Sequence, residues 1–134
     1  MRIPLGIRST LYLALGAMVT GVSSEWSDAF AAENAFDGDV SSEWSSKGDG
    51  DDAWVEIDLG SRQAIGEVAY RSRSMGDGTA VTYTYGLSVD GTPLGTFAAE
   101  EPVSLDLIGR VLRFEVETSS GGNTGAVDIA IYGQ

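Results

Sequence analysis

The chain has 134 residues, room for one two-layer domain but not for a core plus a separate catalytic domain, and its 18 glycines and short apolar runs favour strands joined by turns over a helical bundle. It contains neither histidine nor cysteine, which removes the usual general base near neutral pH, the commonest zinc ligands, thiol nucleophiles and any disulfide. Twenty acids against eight bases give a formal net charge of −12, which repels nucleic-acid phosphates and anionic membrane surfaces and favours cations.

In chain order, residues 1–10 read as an N-terminal arm or the start of a signal-like segment, because Arg2 and Arg8 precede the short apolar run Leu11–Val19. That run is too short to span a bilayer. No small-x-small cleavage site stands out, and Leu11 to Thr20 also reads as an apolar opening strand, so the domain is taken as 11–134 with this segment retained. Turn-forming residues make Ser23–Asp28 a loop, and Ala31–Phe36 forms one helical turn before Asp37-Gly38 breaks it. The acids then crowd together: Asp37, Asp39, Glu43, Asp49, Asp51, Asp52, Glu56 and Asp58 are opposed only by Lys47, so this segment faces water, a cation, or both.

Strands follow. Ala53–Leu59 puts Val55, Ile57 and Leu59 on one face and Trp54, Glu56 and Asp58 on the other, with Gly60 closing it. Ala64–Ser72 carries Val68 and Tyr70 in alternation. Val81–Val89 has the clearest period of two, which predicts Val81, Tyr83, Tyr85, Leu87 and Val89 facing inward before the turn pair Asp90-Gly91. Val111–Thr118 alternates Leu112, Phe114 and Val116 with charged residues, and Ala126–Tyr132 aligns Val127, Ile129 and Ile131. Six or more short strands in one domain predict an all-β sandwich or barrel.

Four ordered blocks carry a family resemblance: Leu13–Ser24, the run Ala32-Glu-Asn-Ala-Phe-Asp-Gly-Asp-Val-Ser-Ser-Glu-Trp44, the run Trp54-Val-Glu-Ile-Asp-Leu-Gly60, and Ser120–Gly133. Across residues 13 to 133 they resemble the coagulation factor V/VIII type C, or discoidin, domain family. The resemblance implies an antiparallel jelly-roll β-sandwich of the galactose-binding-like kind, and binding of sugars, lipid headgroups or proteins. That family includes carbohydrate-binding modules of bacterial glycosidases, and many members hold a calcium ion that braces a loop.

By resemblance, the calcium ligands here are the carbonyls of Ala35 and Asp39, the carboxylate of Asp37, the carbonyl or hydroxyl of Ser42, and the carboxylate of Asp128. Oxygen donors of this kind, six to eight in number, are what calcium takes. Ser42 and Asp128 stand where the family usually has threonine and glutamate, and both departures shorten the side chain. The competing reading makes Asp37 a turn cap and Asp128 a polar residue on a strand face.

Trp44 and Trp54 fall in scaffold motifs, where they are expected to anchor the acidic loop and a core strand with indole N–H groups bonded to backbone. Trp26 lies in a loop without apolar periodicity, where a flat ring can stack on a sugar. Arg73, two residues from Arg71 at a strand end, offers a cationic fork, while the competing reading pairs at least one of Arg71 and Arg73 with the abundant acids. Asn123, in Gly121-Gly-Asn-Thr-Gly125, offers both a donor and an acceptor to sugar hydroxyls. Trp26, Arg73 and Asn123 are therefore the expected ligand contacts.

Paired carboxylates suffice for glycoside hydrolysis, but acids in wet Gly/Ser-rich loops lack the apolar burial that raises one carboxyl's pKa, so no enzyme is expected. The expected function is a secreted or surface-exposed binding or adhesion module for a glycan or surface protein. Neither nucleic-acid binding nor membrane insertion is expected. The alternative is a structural or decoration subunit of a larger surface, appendage or virion assembly.

Overall fold

The computed structural model describes residues 12–15 and 17–134; the arm or signal-like segment expected over residues 1–10 lies outside them. Seven strands are described: β1 (Met18–Val22), β2 (Trp44–Ser45), β3 (Trp54–Ser72), β4 (Thr82–Val89), β5 (Thr92–Ala98), β6 (Val103–Ser119) and β7 (Gly125–Gly133). All their pairings are antiparallel.

Two strands are long enough to serve both layers of the sandwich. The first part of β3 pairs with β1 and with the second part of β6, from Trp54↔Glu115 to Asp58↔Val111. The register then breaks between Asp58 and Gln63, and the rest of β3 pairs with β7 and with the first part of β6. β4 and β5 extend the first layer outward from β6, and β2 extends the second from β7. At the corner on β6, a Cβ on Gly109 would lie 2.2 Å from a Val89 methyl, so β4 closes over a position without a side chain.

The inner faces are those the alternation selects. Val55, Ile57, Val68, Tyr70, Leu87, Leu112, Phe114, Ile129 and Ile131 are all buried, each such side chain contributing roughly 1.5–3 kcal/mol by leaving water. Tyr70 of one layer stacks on Tyr85 of the other with ring centroids 4.9 Å apart. The Asp90-Gly91 pair, with φ of 50° and 82°, joins β4 to β5 as a two-residue hairpin turn.

Three expectations are corrected. Tyr83 does not face inward: it is 52% exposed, while Thr82 is 1% exposed. The pairing of β4 with β6 shifts register twice between Thr82 and Tyr85, and an irregularity of this kind reverses which residues face the core. Trp54 is not a core residue; its half-buried ring lies on the outer face, against Gly21 and under the Arg113 guanidinium at 3.9 Å from the centroid. The opening strand is shorter than Leu11–Thr20, because the stretch around Tyr12 runs beside β7 instead, with a bridge from Tyr12 to Tyr132 and a 2.7 Å bond from Leu13 N–H to the Ile131 carbonyl.

The two-residue β2, β5 and the first part of β6 were not evident from the sequence. β5 contains Pro93 and Gly95, which hide its character, and is tolerated at the sheet edge. The first part of β6 does alternate, with Val103, Leu105 and Leu107 on one face.

Candidate functional site

Four loops meet at one end of the sandwich: residues 23–28 after β1, 46–52 after β2, 73–80 between β3 and β4, and 120–124 between β6 and β7. Backbone bonds sew them together. Gly50 N–H donates to the Gly122 carbonyl at 2.9 Å, Ala80 N–H to the Gly121 carbonyl at 2.8 Å, and Ser46 N–H to the Thr124 carbonyl at 2.8 Å. The Thr124 hydroxyl donates to the Gly50 carbonyl, and the Ser24 hydroxyl both donates to Asp49 at 2.6 Å and accepts from Lys47 N–H at 2.8 Å. The end is thus a cross-linked platform, with Asp49, Asp51, Asp52 and Lys47 around it.

Trp26 is 51% exposed. Its own N–H is fixed to the Ser45 carbonyl at 2.7 Å, so the backbone is anchored while half of the residue stays outside. Trp44 is the opposite case and matches its expected role: it is buried, and its indole N–H donates to the Ser24 carbonyl at 3.0 Å, which pins the 23–28 loop to the core.

Arg73 is brought to the same end but is only 5% exposed. Its Nε and Nη2 reach Glu43 Oε1 at 3.1 and 3.0 Å, its Nη1 donates to the Asn123 carbonyl at 2.5 Å, and its Cζ lies 5.6 Å from the centre of the Phe30 ring. The guanidinium is held inside the platform, and the pairing with an acid weighed for it is present. Asn123 is half-buried, and its side-chain oxygen lies beside Gly48. Glu43 is the residue that sequence reasoning missed, since nothing local to it signals a partner 30 residues away.

The expected cation loop lies beside the start of this system, because Ser42 directly precedes Glu43. The Asp37 carboxylate accepts from Asp39 N–H at 2.9 Å and from the Ser42 hydroxyl at 2.5 Å, and the Asp39 carbonyl also accepts from that hydroxyl. Asp39's own carboxylate takes the Ser41 N–H and hydroxyl, bonds that hold its pKa below the ordinary range. Asp128, on β7, pairs with Arg71 of the neighbouring β3 and accepts from the Tyr12 hydroxyl at 3.1 Å. Burial chiefly, with the Asp37 charge adding, raises the Asp128 pKa, against the lowering effects of Tyr12 and Arg71. Asp37 and Asp128 therefore come within electrostatic reach of each other, although their segments are far apart in sequence. The donors are all oxygens, as calcium requires. Among the described residues, no three or more Asp and Glu side chains converge as a metal-ligating group, so an ion here would depend on Ala35 and Asp39 carbonyls and Ser42 as well as the two carboxylates. No helix among those residues is long and apolar enough to cross a membrane.

The fold recurs among solved structures of sugar-binding domains. Chitosan-binding module 2 of a chitosanase/glucanase from Paenibacillus sp. IK-5, in complex with chitotriose, superposes with a TM-score of 0.75 at 20% identity, covering 90% of this chain and 99% of that one. The family 32 carbohydrate-binding module of Clostridium perfringens NanJ, in complex with galactose, gives 0.74 at 16% identity, with coverages of 91% and 96%. The lectin domain of lectinolysin, complexed with Lewis B antigen, gives 0.70 at 18% identity, with coverages of 92% and 96%. No match was found among curated protein sequences. The family model for the F5/8 type C domain matches residues 19–127, and the chain belongs to that family.

Proposed function

We propose that this chain is a non-catalytic carbohydrate-binding module, secreted or surface-exposed, that holds a glycan on the loops 23–28, 46–52, 73–80 and 120–124. The observation that carries this reading is Trp26: a half-exposed aromatic residue whose backbone is already anchored presents stacking surface at little further ordering cost. Asn123, in the 120–124 loop, is proposed to supply hydrogen bonds to the sugar, and Arg73 holds that loop through the Asn123 carbonyl. Structural neighbours that hold chitotriose, galactose and Lewis B antigen support the ligand class.

Calcium is proposed as a brace held by the Asp37 and Asp128 carboxylates, the Ala35 and Asp39 carbonyls and Ser42. Its chemical contribution is to neutralise two carboxylates that otherwise oppose each other. It takes no part in any reaction.

A glycan array probed with the full chain, with and without calcium, tests the module. Trp26→Ala is expected to weaken binding more than ten-fold, about 1.4 kcal/mol, with the melting temperature nearly unchanged. A large drop in melting temperature would make Trp26 a packing residue instead. Retention of both affinity and stability would place the ligand elsewhere. Silence across the array, with the chain recovered in a large assembly, would favour the structural-subunit reading.

A further inference from the structure

We infer that the Glu43–Arg73 ion pair is a positioning device, which sets the ligand-contact loops from beneath without touching the glycan. This rests on the carbohydrate-binding reading of those loops. The guanidinium joins segments far apart in sequence: Glu43 lies 30 residues away and Asn123 lies 50 residues away. Met75, whose sulfur accepts from Nη2 at 3.3 Å, belongs to the 73–80 loop itself, and Phe30 closes the short turn that follows Trp26.

The 120–124 loop needs such a hold. Gly121 and Gly122 both have φ near +80°, and residues without side chains bring no packing of their own to fix the loop. A planar fork can grip a carboxylate on one side and a carbonyl on the other, which a point charge cannot do with the same geometry. Glu43 in turn is fixed by its neighbours: Trp44 is locked in the core, and the Glu43 carbonyl accepts from the Asn34 side chain at 3.1 Å. The pull on Asn123 is therefore referred to the core rather than to another loop. Because the Gly121 and Gly122 carbonyls hold Ala80 and Gly50, a shift at Asn123 passes to the other two loops.

The test is a double-mutant cycle in the full chain, with Glu43→Gln, Arg73→Met and the pair of both, plus Arg73→Lys as a variant that keeps the charge. Binding of chitotriose, galactose and Lewis B antigen is measured, together with hydrogen exchange at the Gly121 and Thr124 amides. Each single change is expected to weaken binding and speed that exchange about ten-fold, with the double variant no worse than the weaker single one, as residues acting through one contact behave. Arg73→Lys is expected to fold and to show the same faster exchange. If Arg73→Met abolishes binding while Glu43→Gln leaves both binding and exchange unchanged, Arg73 contacts the sugar directly and the inference is overturned. If the wild-type chain binds none of the three sugars and nothing on the glycan array, while exchange still changes as expected, the loop device stands and the carbohydrate reading falls.

Discussion

Gly125→Ala is expected to destabilise the fold by about 3 kcal/mol, the upper part of the range for forcing atoms into a packed interior. Residue 125 pairs with Ser45, and a Cβ there would lie 2.1 Å from the Trp44 carbonyl oxygen and 3.1 Å from the Ser45 Cα. These are backbone atoms, so no rotamer change relieves the clash. Nor can β2 simply retreat. The Trp44 side chain is buried with its N–H on Ser24, and the Ser45 carbonyl holds Trp26 in place. Moving Gly125 the other way strains the bond from the Tyr70 hydroxyl to its carbonyl, 2.9 Å, in the centre of the core. Urea denaturation followed by fluorescence measures the loss, and a midpoint equal to the wild type's would show that β2 is not clamped as described. At concentrations of denaturant where the variant still folds, it is also expected to bind glycan more weakly, since Trp26 hangs from β2.

Calcium at about one hundred times its dissociation constant is expected to add about 2.7 kcal/mol to stability, because an ion held only by the folded chain shifts the unfolding equilibrium by mass action. Asp128→Asn is expected to abolish that gain. The same variant is expected to melt no lower than the wild type in chelator at neutral pH. An asparagine oxygen still accepts from Tyr12, and the substitution removes a charge that burial and Asp37 disfavour. The sign follows from the direction of the shift. A carboxyl whose folded pKa lies above its unfolded value favours folding fully below the unfolded value, and that contribution is lost as pH rises through the folded one. The ion-free wild type therefore gains on the variant as pH falls from neutrality into the carboxylate range, while protons displace calcium over the same interval. Scanning calorimetry of both proteins, with calcium and with chelator, separates these effects. An unchanged wild-type melting temperature in millimolar calcium would remove the ion from the account.

Much of the fold was legible in the alternation of apolar residues. Tyr85, Leu87 and Val89, Leu112, Phe114 and Val116, and Val68 and Tyr70 are inward as read, because a strand with one buried face must repeat every second residue. The alternation failed at Tyr83 for the same reason that it works elsewhere: the irregularity against Ser119–Val116 reverses the faces, and nothing in Val81-Thr-Tyr-Thr-Tyr85 marks where the partner strand slips. Trp54 shows a related limit. Its place opposite Val55 and Ile57 already put it on the outer face, but only Gly21 and Arg113, from two other strands, determine how it is covered.

The site divides in the same way. The sequence by itself determined which groups were at hand: an aromatic residue without a core partner at Trp26, an amide in a glycine loop at Asn123, and oxygen donors in Asp37–Ser42 and at Asp128. It determined that histidine and cysteine chemistry was absent. Tertiary structure alone decided that Arg73 is enclosed rather than presented, since Glu43, Asn123 and Phe30 reach it from three parts of the chain remote from it in sequence. It decided, too, that Asp37 and Asp128 feel each other's charge. Local patterns fix what each segment can bury or bond, but charge and hydrogen bonding act through space, and the distances they act over are set only when the strands have paired.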